Sequence, residues 1–340
     1  MGPMAGRGAE RLLITGCNGY IGRYLARAAS CLPGAEAFGL DRQPPGGDLA
    51  GPPVEDVRLY EGDLFHPDLA LLLQEIQPDV IFHAAAVPRT ASLAEQWHGT
   101  ALASERLLAA IVEAHLSCRV VLLGSAAEYG LREGPIGEDD ALRPESDYGV
   151  VKASQTLLAL SYAKRFSLPV VTGRIFNVYG ASPPMLAIAS IASQTARLEA
   201  QAARRRNRFA SAEPLDTRLH VANLAARRDF IHIDDVVEAL LTLRRYGRPG
   251  EIYNIGGGEA IALQHVADRL IALSECDPDQ DVTLAPSAAQ ISDCSQANLA
   301  KIIEETPWRP RVSLEEGLLR ELHYWRARLP LPVEKERLGA

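Results

Sequence analysis

Leu12-Leu13-Ile14-Thr15-Gly16-Cys17-Asn18-Gly19-Tyr20-Ile21-Gly22 is the stretch that decides the fold. A short apolar run ends in glycines spaced G-x-x-G-x-x-G, and a helical pattern follows over 21–30. This is the pattern of a buried strand that turns sharply into a helix. Glycine at these points lets the chain turn tightly, lets backbone approach a pyrophosphate and packs helix on sheet, while the helix N-terminus offers amides and a positive dipole. Asp41 closes the second apolar run, at the distance expected of a carboxylate that binds an adenosine ribose. Gly16, Asn18, Gly19, Tyr20, Ile21, Gly22 and Asp41 are therefore candidate dinucleotide-binding residues.

Working outward, short apolar runs at 12–15, 37–40, 57–61, 80–83, 120–123 and 170–174 alternate with helical patterns at 21–30, 67–76, 100–115 and 148–166. Repeated βαβ units of this kind build a parallel sheet. The expected fold class is α/β, a Rossmann-type doubly wound parallel sheet, over residues 1–177. After Asn177 the rhythm breaks. Helical stretches at 186–201, 235–246, 263–274 and 314–326 are separated by short extended pieces such as 252–255, which predicts a smaller, mixed α/β substrate-side domain over 178–330, interleaved with the first. Residues 44–53 and 207–216 are expected as surface loops, and the first nine residues as a loose tail.

More of the dinucleotide end follows from position. A carboxylate at Asp41 accepts from both ribose hydroxyls and repels a 2′-phosphate, favouring NAD(H), whereas Arg42 beside it offers a planar fork suited to the 2′-phosphate of NADP(H). Asp63 and Leu64 close the third strand, where a carboxylate can reach the adenine amino group. Ala84, Ala85 and Ala86 follow the fourth strand as a surface of small residues along which a cofactor can lie. His83 before them is expected to be a packed strand-end residue, because no second His or Cys sits at metal spacing.

Composition narrows the rest. A net charge of -8 and a pI near 5.6 give no general attraction to nucleic acid or anionic membrane. Five cysteines, widely spaced and without a C-x-x-C pair, point to reduced thiols and a cytoplasmic setting. No apolar run approaches the ~18 residues needed to cross a bilayer, and no signal-peptide core opens the chain.

Of 35 basic side chains only Lys152, Lys164, Lys301 and Lys335 are lysine. One of them completes Tyr148-Gly149-Val150-Val151-Lys152, which on a helix places the phenol and the ammonium one turn apart on one face. A neighbouring ammonium favours phenolate and makes a tyrosine a usable acid or base near neutrality. Upstream, Gly124-Ser125-Ala126-Ala127-Glu128-Tyr129-Gly130 puts a serine at the end of the fifth strand, at the carboxyl edge where open α/β folds bind ligands. Its hydroxyl can donate to a carbonyl oxygen.

With Leu142-Arg143-Pro144, Arg174-Ile175-Phe176-Asn177, Asn223-Leu224, Arg228-Asp229-Phe230 and Tyr253-Asn254, these motifs resemble the extended short-chain dehydrogenases/reductases of the nucleotide-sugar epimerase/dehydratase type. The similarity runs from about Arg11 to Trp325 and is strongest to GDP-4-keto-6-deoxy-D-mannose reductases and related 4-ketoreductases. It implies hydride reduction of the C4 ketone of a nucleotide-linked 4-keto-6-deoxyhexose by NAD(H) or NADP(H). In that scheme Tyr148 protonates the C4 oxygen, Lys152 holds the nicotinamide ribose and depresses the tyrosine pKa, and Ser125 polarises the carbonyl. Ser125, Ala126, Arg174, Asn177 and Arg228 are the implied substrate-binding residues, with Arg228 near the diphosphate. A homodimer through a four-helix contact of 100–115 and 148–166 is implied as well.

Three other readings stand beside it. A 4,6-dehydratase needs a carboxylate pair just after the serine, where this chain has Ala126 and Ala127; a 4-epimerase uses the same tyrosine and lysine with a retained NAD; a cofactor-binding relative without chemistry would not need Ser125, Tyr148 and Lys152. The chain also departs from the family pattern. Gln96 replaces the usual asparagine of the helix after the fourth strand, and a second diphosphate-binding arginine has no counterpart over 287–290, for which Arg204, Arg205, Arg206 and Arg208 are the available substitutes.

Overall fold

The computed structural model describes residues 8–42, 51–54, 56–206, 217–286, 289 and 293–329. In chain order the strands are β1 Glu10–Thr15, β2 Ala35–Asp41, β3 Arg58–Glu61, β4 Val80–His83, β5 Arg119–Ser125, β6 Pro135–Ile136, β7 Val170–Ile175, β8 Asn177–Tyr179, β9 Arg218–Val221, β10 Arg227–His232, β11 Ile252–Ile255, β12 Ala260–Ala262, β13 Thr283–Pro286 and β14 Cys294–Ala297. The helices are α1 Tyr20–Ser30, α2 Leu69–Ile76, α3 Leu93–Gln96, α4 Ala103–Glu113, α5 Asp147–Phe166, α6 Ala187–Arg206, α7 Ile233–Tyr246, α8 Leu263–Leu273, α9 Ala300–Glu305 and α10 Leu314–Arg328.

Seven strands form a sheet in the order β11-β7-β5-β4-β1-β2-β3, each neighbouring pair parallel. Strands buried on both faces read as continuous apolar runs, and alternate residues serve two cores. Leu12, Ile14, Phe82, Val121 and Leu123 pack with Leu25 of α1 and Leu240 of α7 on one face. Leu13, Ile81, Val120 and Leu122 meet Leu73 of α2 and Leu107 and Ile111 of α4 on the other. Each such side chain contributes ~1.5–3 kcal/mol by leaving water. Strand order reverses between β1 and β4, so the crevice beyond their carboxyl ends is the place where this topology binds ligands.

The chain divides into two compact units, Met1–Tyr179 with Ala226–Ile261 and Ser292–Val312, and Gly180–Ala225 with Ala262–Ile291 and Ser313–Ala340. Beyond Asn177 the sequence is thus shared between them: β10, α7, β11 and β14 return to the first unit. In the second, Glu199 of α6 receives two hydrogen bonds from Arg326 of α10 (2.8 and 2.7 Å), and β9 pairs with β13.

Helical structure near the expected 100–115 starts earlier, at Leu93, because Ser92 and Glu95 form a reciprocal capping box. A π-helical stretch, Trp97–Leu102, then joins α3 to α4. The tail residues 1–7, most of the expected loop 44–53 and all of 207–216 lie outside the described residues. Among the described residues no helix is long and apolar enough to cross a membrane.

Candidate active site

The glycine loop sits at the strand-order reversal because its glycines admit contacts that no side chain would. Gly16 has φ +72°, and a Cβ there would lie 2.6 Å from the Ala85 amide nitrogen; at Gly22 it would lie 2.0 Å from the Gly16 carbonyl oxygen. The first glycine therefore brings the loop onto the segment after β4, and the last brings α1 onto the loop. The start of α1 carries no acidic residue and no side-chain cap, leaving its positive end for an anion. Asp41 is tied to the loop, its carboxylate accepting from the Asn18 amide at 2.9 Å. Asn18 is buried, and its carbonyl oxygen accepts from the Arg23 guanidinium at 2.9 Å.

Arg42 and Asp63 face one another across the ends of β2 and β3, 3.9 Å apart and both substantially exposed, and Asp63 also accepts from the Phe65 amide at 3.0 Å. Leu64 is packed into the core below them. Ala84 and Ala85 are partly buried and Ala86 is exposed, so this strip lines the β4 end of the crevice. A cradle of glycine and alanine backbone beside a helix N-terminus, with a carboxylate at the end of β2, fits a nicotinamide dinucleotide. His83 is fully packed, as expected, and among the described residues no cluster of His, Cys, Asp or Glu could hold a metal.

At the carboxyl end of β5, Ser125 caps a short 3-10 turn, Ala126–Glu128: its hydroxyl oxygen accepts from the Ala127 amide at 3.2 Å while Glu128 reaches back to the Ser125 amide at 2.8 Å. Ala126 is buried. The start of α5, capped by Ser146, brings Tyr148 to the same point, where the Ser125 side chain acts on its phenol. Gly149 permits this approach, since a Cβ there would lie 2.4 Å from the Ala127 carbonyl oxygen.

Lys152 lies one turn further into the core, 3% exposed. Its ammonium donates to the Leu123 carbonyl oxygen at 2.5 Å and to Oε1 of Gln155. Burial lowers the lysine pKa to about 8, opposed by the charge of Glu128. The expected depression of the tyrosine pKa is not the net effect in the folded chain. Burial raises the Tyr148 phenol above its ordinary value, with the Ser125 side chain acting in the opposite direction. Tyr148 is accordingly protonated near neutral pH.

The residues expected at the substrate are placed less uniformly. Arg174 is 2% exposed and committed to protein: it donates to Glu128 and to the Tyr129 hydroxyl, each at 2.8 Å. Asn177 gives its amide to the Asp229 carbonyl oxygen at 2.9 Å, bridging the paired strands β8 and β10. Arg228 remains partly exposed, but Asp293 takes both of its terminal nitrogens, at 2.8 and 3.1 Å. Arg205 and Arg206 are paired with Asp281, and Arg208 lies outside the described residues.

Two features were not visible in the sequence. Arg89, in the loop after β4, acts electrostatically on Tyr148, and Gln96 holds that loop by donating to the carbonyl oxygens of Arg89 and Ala91 at 3.3 and 2.7 Å. Gln155 is the second, as the partner of Lys152. No spacing rule singles out either one.

The profile of the NAD dependent epimerase/dehydratase family matches residues 12–256. The chain belongs to that family. Among its relatives, the dTDP-6-deoxy-L-talose 4-dehydrogenase (NAD(P)(+)) of Kitasatospora kifunensis is 27% identical, covering 95% of this chain and 97% of its own. The GDP-6-deoxy-D-mannose reductase of Pseudomonas aeruginosa is 26% identical over 94% of this chain and 98% of its own. A solved structure of MoeE5 in complex with UDP-glucuronic acid and NAD superposes with a TM-score of 0.75 at 28% identity, over 94% of this chain and all of that one. Other relatives are named as epimerases and dehydratases. The family is NAD(P)-dependent and its relatives here are sugar-nucleotide epimerases, reductases and dehydratases, so the chain is an NAD(P)-dependent enzyme of sugar-nucleotide modification.

Proposed function

We propose that the protein is an NAD(P)H-dependent reductase of the C4 ketone of a nucleotide-linked 4-keto-6-deoxyhexose. The observation that carries this reading is the meeting of Ser125 and Tyr148 at the carboxyl edge of the sheet, where the serine hydroxyl can hold a ketone oxygen and the phenol can supply its proton. A reductase consumes a proton at the C4 oxygen, whereas oxidation of a 4-hydroxyl, the opening step of an epimerase or dehydratase, needs a base there.

When bound on the glycine cradle, the nicotinamide supplies the hydride. Ser125 holds the ketone oxygen and Tyr148 delivers its proton to it. Lys152 uses two of its three N–H groups on Leu123 and Gln155, which leaves one for a ribose hydroxyl of the cofactor. Gly16, Asn18, Gly19, Tyr20, Ile21, Gly22, Asp41, Arg42, Asp63, Leu64 and Ala84–Ala86 form the dinucleotide site in this scheme.

Dehydration is disfavoured on specific grounds. The carboxylate nearest the centre, Glu128, is fully buried, holds the Ser125 amide and is paired with Arg174, so it cannot take a sugar C5 proton. Two relatives named for redox chemistry on 6-deoxy sugar nucleotides, one of them a 4-dehydrogenase and the other a reductase, support reduction. The epimerase reading has support of the same kind, from relatives named as UDP-glucose epimerases and from the NAD that accompanies a sugar nucleotide in the MoeE5 complex.

We assign the second unit to sugar-nucleotide binding, and the protein to the cytoplasm, where all five free cysteines stay reduced. We further assign it a homodimer through α4 and α5. Leu102, at the end of the π-helical stretch that leads into α4, and Val150, Leu157 and Phe166 of α5 are exposed, Leu157 at 58%. Incubation with GDP-, dTDP- and UDP-linked 4-keto-6-deoxyhexoses tests the activity. Oxidation of NADH or NADPH with one of them is expected; interconversion of a 4-hydroxy sugar nucleotide with no net cofactor change would favour the epimerase.

A further inference from the structure

A line of buried polar groups runs behind the reaction centre. Thr15 at the end of β1, His83 at the end of β4, Ser104 in α4 and Gln155 and Lys152 in α5 are each 3% exposed or less. The Thr15 hydroxyl lies 2.7 Å from Nδ1 of His83, and Nε2 of His83 lies 2.7 Å from Oγ of Ser104. The Gln155 amide donates to the same Oγ at 2.7 Å, and its Oε1 accepts from Lys152.

The protons in this line can be assigned one by one. Ser104 has a single hydroxyl proton, which goes to the Thr100 carbonyl oxygen at 2.6 Å, an atom that can only accept. Ser104 must therefore accept from both His83 and Gln155. That fixes His83 as the neutral Nε2–H tautomer, with Nδ1 accepting from Thr15. It also fixes the Gln155 amide: NH2 toward Ser104, oxygen toward Lys152. A flipped amide would set two donors against each other at Lys152.

We infer that Gln155 is a positioning residue for the proposed chemistry, holding the Lys152 ammonium in the orientation from which its remaining N–H meets the nicotinamide ribose. The inference rests on the reading of Lys152 as a cofactor-binding residue. The Ser104–His83–Thr15 line acts through Gln155, locking which end of its amide faces the lysine. Burial and the nearby Lys152 charge push the His83 pKa down to about 3, so the ring keeps the neutral form that this arrangement requires.

The test measures binding to the full-length, cofactor-free chain, with NADPH and NADH as probes for the whole site and ADP as the probe for its adenosine end. Gln155→Met removes the acceptor while keeping the bulk. We expect it to weaken dinucleotide binding about tenfold, the cost of one hydrogen bond to a charged group, and to leave ADP binding unchanged. Gln155→Glu keeps an acceptor for Lys152, with the Ser104 hydroxyl turning from the Thr100 carbonyl to donate to the carboxylate, and is expected to restore dinucleotide affinity to within about threefold of wild type.

Equal weakening of ADP and dinucleotide by Gln155→Met, or no weakening of either, would overturn the inference, as would failure of Gln155→Glu to rescue binding. Lys152→Met separates it from the reading beneath. If Lys152→Met weakens dinucleotide binding and Gln155→Met does not, only the positioning role fails. If Lys152→Met has no effect, the cofactor role of Lys152 fails with it.

Discussion

Replacing Lys152 by methionine gives a prediction whose size follows from the structure. The folded chain holds this ammonium away from water, and burial lowers its pKa from 10.5 to about 8. Each unit is worth about 1.4 kcal/mol, so keeping the proton on in the folded state costs about 3 kcal/mol. The sign is set by linkage. Near pH 7 both folded and unfolded chains carry the proton and the whole cost is present. Between the two pKa values the unfolded chain binds more protons than the folded one, so stability gained from this residue rises with pH, and by about pH 10 some 2.5 kcal/mol of the cost is relieved.

Lys152→Met removes this titration and keeps all others, so the wild-type-minus-variant difference isolates it. The offset at any single pH also contains the hydrogen bonds lost to Leu123 and Gln155, which makes the pH dependence the informative quantity. Urea denaturation of both cofactor-free proteins near pH 7 and near pH 10 should show wild type gaining about 2.5 kcal/mol relative to the variant. A difference constant to within about 0.5 kcal/mol would mean that the lysine is not held in the buried, charged state described, and the reasoning would be refuted.

Other expectations are simpler to state. Tyr148→Phe should lower kcat by about a thousandfold while cofactor affinity stays within about twofold, measured by steady-state kinetics and fluorescence titration; an unchanged kcat would remove the phenol from the reaction. Glu128→Gln breaks a buried ion pair with Arg174 and should destabilise the chain by about 3 kcal/mol in denaturant melts. A near-neutral result would show that Glu128 and Arg174 do not depend on each other's charge. Leu157→Glu, on the exposed face of α5, should convert a dimer to monomers in sedimentation velocity, and a dimer that persists would move the interface elsewhere.

How much was legible in the sequence depends on how locally each feature is encoded. The glycine loop, its strand and its helix lie within one short stretch, and the spacing of Tyr148 and Lys152 needs only a helix to become a geometry. The apolar runs named six strands of the seven-stranded sheet for the same reason, most of them being buried; the seventh, β11, was expected in the substrate-side domain because its short run stands among helices. Arg174 and Arg228 show the opposite case. Their partners Glu128 and Asp293 lie 46 and 65 residues away and become partners only when β5 meets β7 and β10 meets β14. A charge pattern cannot reveal that an arginine is already spoken for.

Gln155 shows it again. Its position three residues after Lys152 is visible, but its meaning comes from Ser104 on another helix and His83 on a strand, brought together behind the sheet edge. The depressed tyrosine pKa was expected from proximity alone. In the folded chain the ammonium turns inward, toward Leu123 and Gln155, and burial dominates the phenol.

The proposed reduction is tested most directly by following a deuterium label. With cofactor carrying deuterium at the transferred position and an NDP-4-keto-6-deoxyhexose as substrate, the account predicts one deuterium at C4 of the product for each cofactor oxidised, and loss of that transfer in Tyr148→Phe. Conversion of a sugar nucleotide with no label gained from added cofactor would contradict it.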